Sequence, residues 1–144
     1  MALQQELLAL VDEDTKAFNR IMEAFGLPKE SEADREARKK AIQEATRVAI
    51  EIPFRVMKIS AASFEIIKAM VQEGNPNSVT DAGVGALCVR SAVIGAYLNV
   101  KVNGAGFKDK AFLDGIMKQA EELVHQANTA EEIILASVNE KIST

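Results

Sequence analysis

Apolar residues recur along this chain at intervals of three and four, the spacing of one helix face, and no stretch alternates in the manner of a strand. Leu3, Leu7, Leu8, Leu10, Val11, Phe18, Ile21, Met22 and Phe25 set the first such run, and Gly26-Leu27-Pro28 closes it with a terminator followed by a breaker. The pattern predicts a first helix over about residues 3–25. Ser31 to Asp34, "SEAD", has the form of a capping arrangement, and a second helix follows from near Glu32 to Glu73, about 60 Å at about 1.5 Å per residue. Pro53 lacks an N–H and crowds the preceding turn, so a kink is predicted around Ala49 to Phe54. Gly74 and the turn Asn75-Pro76-Asn77 separate it from a third helix, which opens on Ser78-x-x-Asp81 and runs to about Leu98.

That third helix presents Gly83, Gly85, Ala86, Ala92, Gly95 and Ala96. Glycine inside a helix costs about 1 kcal/mol relative to alanine, a cost that is tolerable where neighbouring backbones come close. The helix is therefore predicted to be the central and most buried element. Residues 99–108 read as a loop, and Asp109 caps a last helix that reaches about Glu140; a break near Asn128-Thr129 is compatible with the pattern. The expectation is an all-α bundle of about four helices, two of them long, in one domain spanning residues 1–144.

Composition supports this reading. The chain has 144 residues, 48% of them apolar and only 5% aromatic, with no Trp, which suits Ala- and aliphatic-rich helix packing. Its net charge of −4 argues against nucleic-acid binding, which needs a concentrated basic surface. The one dense basic cluster, Arg35, Arg38, Lys39 and Lys40, is interleaved with Glu32, Asp34, Glu36 and Glu44 and reads as a solvated face laced by i,i+4 pairs. Residues Ala82 to Val100 are the least polar stretch, but Arg90 near their centre argues for a buried helix over a membrane span. The N-terminal residues lack the basic start and long apolar core of a signal peptide, and with a single cysteine, Cys88, a reducing cytoplasm is the expected location. Cys88 reads as a buried core thiol, and with the one histidine, His125, it offers no familiar metal-ligand spacing.

Candidate chemistry lies in polar residues in excess of what capping needs. They are Asp12, Asp14 and Thr15 on the first helix, Asn75, Asn77, Ser78, Thr80 and Asp81 at the start of the third, and Asn99 and Asn103 beyond its predicted end. Taken singly, each is a cap or a turn residue. Together they offer carboxylates and amides, and a helix N-terminus favours an anionic ligand besides. "GVGALC" follows no strand and is not a dinucleotide fingerprint; Ser78 lies in no nucleophile elbow.

"NPNSVTDAGVGALCVRSAVIGAYLNVKVN", with "DEDTKAFNRIMEAFGLPK" and "AIQEATRVAIEIPFRVMK", resembles the cyclodeaminase domain of formimidoyltransferase-cyclodeaminases and their single-domain relatives, which include methenyltetrahydrofolate cyclohydrolases. The resemblance runs from about Leu7 to the final helix. It implies an all-helical, folate-binding, dimer-forming fold that closes the N5–N10 one-carbon bridge of tetrahydrofolate and releases ammonia, with no cofactor beyond the folate substrate and no metal. Family members begin with a further helical segment carrying a Pro-Gly-Gly-Gly-Ser-type stretch that contributes to the folate site. Nothing like it precedes Leu3, so the expectation is either a truncated or shortened family member or one whose missing part comes from elsewhere.

In the implied reaction N10 attacks the formimidoyl carbon held on N5, and the tetrahedral adduct expels ammonia. A group must accept the N10 proton, another must protonate the departing nitrogen, and negative charge must lie near the developing amidinium-like cation. Asp81 is the first candidate, its carboxyl desolvated by the small-residue helix, and Asp14 the second. Asn77, Ser78, Asn99 and Asn103 would position the pterin and the one-carbon unit. Two alternatives stand beside this: hydrolysis of methenyltetrahydrofolate on the same scaffold, and an inactive oligomeric remnant. The wide apolar stripe of the second helix, from Val48 and Ile52 through Phe64 to Met70, is more than one small subunit can easily cover, so a homodimer or higher homo-oligomer is expected.

Overall fold

The predicted stops at Gly26 and Gly74 are both used. The structure, a computed structural model describing residues 2–143, has helices α1 (Ala2–Gly26), α2 (Glu32–Glu73), α3 (Val79–Gly104) and α4 (Lys110–Ile142), with a 3-10 turn at Pro76–Ser78. It is an all-α bundle of four helices. α2 opens on a complete capping box: the Asp34 backbone N–H donates to Ser31 Oγ and the Ser31 N–H donates to Asp34 Oδ2, both at 3.0 Å. It continues through Pro53 and ends at Gly74, where a Cβ would fall 2.2 Å from the Met70 carbonyl oxygen. Lys141 on α4 donates its ammonium to the Val71 carbonyl in the last turn of α2, a favourable place for a cation. The basic cluster behaves as a solvated face, with Arg35 on Glu32 at 2.7 Å and Lys39 on Glu36 at 2.6 Å. Arg38 instead reaches back to the Phe25 carbonyl at the end of α1, at 3.1 Å.

Two apolar cores hold the bundle. The larger joins α2, α3 and α4 through fully enclosed side chains such as Ile50, Met57, Val93, Val100 and Ile134. Each contributes about 1.5–3 kcal/mol relative to its exposed state. The smaller joins α1 to α2 through Leu10, Ala17, Ala49 and Ile52. Val56 touches both. The Glu13–Arg55 ion pair at 2.5 Å also ties α1 to α2 but is half in solvent and contributes about 0–1 kcal/mol.

The structure corrects the sequence reading at several places. α3 does not stop near Leu98; residues 99–104 add a further turn and a half of helix. The asparagines and Gly104 lower helix propensity there, but Val100 is wholly buried against the neighbouring helices, and tertiary burial outweighs propensity. Ser78 makes no side-chain cap; Asn75 does the capping, its Oδ1 accepting from the Asn77 N–H at 3.0 Å. α4 runs unbroken past Asn128-Thr129, where Asn128 bonds Arg90 of α3.

α3 packs against α2 and α4, but its opposite side is open: Val84, Leu98 and Val102 are more than half exposed, and Cys88 is exposed, not a core thiol. Of its glycines, Gly104 marks a close approach, since a Cβ there would fall 2.7 Å from Leu113 Cδ1 of α4, but the three earlier ones do not. A methyl group at Gly83 or Gly85 would meet neighbours at ordinary distance, and one at Gly95 would meet nothing within 4 Å. By length and hydropathy the Pro76–Gly104 segment would suffice to cross a bilayer. Arg90 at its centre pairs with Glu131 of α4 at 3.0 Å, which binds the helix into the bundle.

α1 also carries a second apolar stripe. Leu8, Val11, Phe18, Met22 and Phe25, each more than half exposed, follow a three-four spacing along a face that the bundle leaves largely open.

Candidate functional site

α1 and α3 both lie against α2 near Pro53, and between the three helices runs a groove of about 590 Å³. Its walls are apolar, from Leu10 on α1, Ile52 and Val56 on α2 and Ala96 on α3. Its polar groups are Asp14 and Thr15 from α1, Ser60 from α2 and Asn99 from α3. Thr15 is occupied locally, its hydroxyl donating to the Val11 carbonyl at 3.1 Å. Asn99 makes a long contact of 3.4 Å from Nδ2 to the Gly95 carbonyl. Asp14 is exposed at the groove and makes no hydrogen bond or ion pair among the described residues. No Lys or Arg lines it, so Asp14 is its one formal charge.

Two of the six sequence candidates, Asp14 and Asn99, are thus brought together, from helices 85 positions apart in sequence, since 99 minus 14 is 85. The other four are not. Asp81, Asn77 and Ser78 cluster at the start of α3, which at about 1.5 Å per residue puts Asp81 about 27 Å from Asn99 along the helix axis. One recess in one chain cannot hold both ends of that helix. Asp81 is exposed, so the small-residue helix does not desolvate its carboxyl as the sequence reading required. It makes no ion pair among the described residues and stands in the first turn, where a carboxylate is favourable to the helix in any case. Asn77 is exposed and Ser78 half-buried.

Asn103 belongs to the scaffold. Its Nδ2 donates to the Ala49 carbonyl at 2.7 Å, and Ala49 is the residue four before Pro53, whose ring nitrogen has no hydrogen to give that carbonyl. The amide supplies the donor that Pro53 withholds.

The sequence reading missed Ser60, the one buried polar side chain among the described residues. Its position two turns after Pro53, on the face that carries Ile52 and Val56, was the available signal. A second groove of about 580 Å³ lies between α2 and α4, where Lys58 and Lys118 flank Phe54 and Leu123; it holds none of the six candidates. Among the described residues no three His, Cys, Asp or Glu side chains are grouped as metal ligands.

The chain is similar to known proteins in sequence and, in one case, in solved structure. The sequence profile of the formiminotransferase-cyclodeaminase family matches residues 1–122. A methenyltetrahydrofolate cyclohydrolase of Methylorubrum extorquens is 32% identical over 98% of this chain and 68% of its own length. The formimidoyltransferase-cyclodeaminase of Gallus gallus is 32% identical over 94% of this chain, which spans only 25% of that longer protein. The crystal structure of a formiminotetrahydrofolate cyclodeaminase from Thermotoga maritima superposes with a TM-score of 0.83 over 98% of this chain and 66% of that one; at 20% identity it speaks for the fold. With a matching profile over most of its length and the same helical bundle, the chain belongs to the formiminotransferase-cyclodeaminase family.

Proposed function

We propose that the chain acts on the one-carbon unit between N5 and N10 of tetrahydrofolate, as a formimidoyltetrahydrofolate cyclodeaminase, with the reduced pterin in the α1–α2–α3 groove. The observation that carries this reading is the pairing of Asp14 with Asn99 across apolar walls in a chain of this family. A planar, partly apolar heterocycle fits between Leu10, Ile52, Val56 and Ala96. Asp14 accepts the N10 proton as N10 attacks the formimidoyl carbon, passes it to the departing nitrogen, and, a carboxylate again once ammonia leaves, lends negative charge to the amidinium-like methenyl cation that forms. Asn99 orients the one-carbon unit. Asp81 joins this chemistry only where a second copy brings its own Asp81 to the groove.

A second reading is hydrolysis of the methenyl bridge, favoured by the match to the cyclohydrolase over 68% of that protein's own length. Both reactions pass through a tetrahedral carbon between the same two nitrogens, and one carboxylate serves either. Ammonia release from the formimidoyl substrate, measured beside loss of methenyl absorbance, separates them. Neither signal, together with no folate binding, would leave the non-catalytic reading standing.

The functional form is proposed to be a homo-oligomer. The open stripes of α1 and α3 flank the groove, and both follow the three-four spacing of a helix–helix seam. The α1 stripe is large, with Phe18, Met22 and Phe25; the α3 side is small in its middle, with Ser91 and Gly95. Large side chains of one copy fit the small ones of the next, as a two-fold interface requires of both partners.

A further inference from the structure

A helical serine or threonine with no other partner commonly turns its hydroxyl back to the carbonyl four residues earlier. Thr15, Thr46 and Ser63 all do so, onto Val11, Ile42 and Ile59, at 3.1, 2.7 and 3.4 Å. Ser60 does not. Only 3% of it is exposed, yet its hydroxyl makes no hydrogen bond among the described residues. No side-chain oxygen or nitrogen among them is both shut off from solvent and unpartnered, so the Ser60 hydroxyl oxygen keeps part of the residue's small exposure. Ser60 lines the α1–α2–α3 groove, and that is where the oxygen opens.

A hydroxyl on a residue only 3% exposed leaves little room for water to bond it, which is unfavourable in the free protein, and the cost is recovered when a ligand supplies the missing bond. We propose that Ser60 is a ligand-binding residue whose hydroxyl hydrogen-bonds the polar edge of a pterin ring seated in this groove. The inference rests on the folate reading above and adds to it both a residue and an orientation. The groove has no basic side chain and carries the Asp14 carboxylate. The carboxylates of the folate tail are therefore excluded, and the uncharged heterocycle, with its N–H and C=O groups, is the end that enters.

Titration calorimetry on the whole chain tests this with three probes: 5-formyltetrahydrofolate, a tetrahydropterin without the tail, and p-aminobenzoylglutamate. Wild type is expected to bind the first two and not the third. Ser60→Ala weakens the first two by about tenfold, the loss of one hydrogen bond to ligand. The ligand-free melting temperature of Ser60→Ala is expected to stay level or rise, because an unpartnered hydroxyl has been removed. Ser60→Cys, close in size with a weak donor, falls between. If wild type binds 5-formyltetrahydrofolate and Ser60→Ala binds it equally well, the Ser60 assignment fails and the folate reading stands. Binding of p-aminobenzoylglutamate without tetrahydropterin overturns the orientation. Should both variants melt lower with loss of helicity, Ser60 is a packing residue; no binding by wild type overturns this inference and the folate reading together.

Discussion

Asn103 on α3 donates its side-chain amide to the Ala49 carbonyl of α2 at 2.7 Å, at the point where Pro53 breaks the helical hydrogen-bond ladder. The two helices that form the groove's floor and one wall are thereby fixed to each other at the residue that would otherwise weaken α2. Asn103→Ala is expected to lower unfolding free energy by about 1–3 kcal/mol, the cost of leaving a buried acceptor unpaired. In a Pro53→Ala background the restored N–H takes over, and the same substitution should cost clearly less. Urea denaturation of the four proteins measures the coupling, and strictly additive losses would break the proposed link between the two residues.

Asp14→Asn should reduce turnover about 10²- to 10⁴-fold, as expected for loss of a proton-transferring group, with helicity unchanged. Asp81→Asn is the contrast, because Asp81 lies outside the groove in the single chain. Steady-state rates of both variants place the chemistry. An inactive Asp81 variant beside an active Asp14 variant would move the site to the start of α3.

The Ser31 hydroxyl, and after it the Ser31 backbone N–H, hold the Asp34 carboxyl below its ordinary value of 3.8. A carboxyl whose folded value is depressed adds stability above its unfolded value and loses it as pH falls through the folded one. The stability advantage of wild type over Asp34→Asn should therefore be full near neutral pH and shrink as pH drops below about 3.8. Melting curves of the two proteins across that range decide it; a pH-independent gap would mean that the charge of Asp34 is immaterial to the cap.

Phe18→Glu with Met22→Glu places two charges in the open stripe of α1, where neither side chain packs in the single chain. Sedimentation equilibrium should show wild type as a dimer or larger and the double variant shifted towards monomer, with circular dichroism unchanged. A wild type that sediments as a monomer would show that the stripe has another use.

Helix number and all but one of the ends were legible in the sequence because local chemistry sets them. Ser31 and Asp34 cap α2, Gly74 ends it, and Asp109 caps α4, its Oδ1 accepting from the Phe112 N–H at 3.0 Å. The end of α3 was not legible, since Val100 is held helical by residues far away in sequence. Of the six candidate residues, two line the groove. Residue type pointed to Asp14 and Asn99, but the same argument favoured Asp81 and Asn77, and only packing separates the two groups. Asn103 was misread because its partner, the Ala49 carbonyl, is 54 positions away. Helical spacing places Ser60 on the face of Ile52 and Val56, but its unpaired hydroxyl was not legible, because that is a property of the fold.

The division into two apolar cores bears on how the molecule comes apart. α1 is held by the small set around Leu10, Ala17, Ala49 and Ile52, whereas the other three helices share the large one. The N-terminal helix can therefore peel away as its own cooperative unit at a lower free energy than global unfolding, and its amide protons should exchange ahead of those in the remaining trio. Because that helix supplies one side of the groove, a bound heterocycle would act as a clasp, slowing exchange most in the part of the chain that is otherwise first to let go.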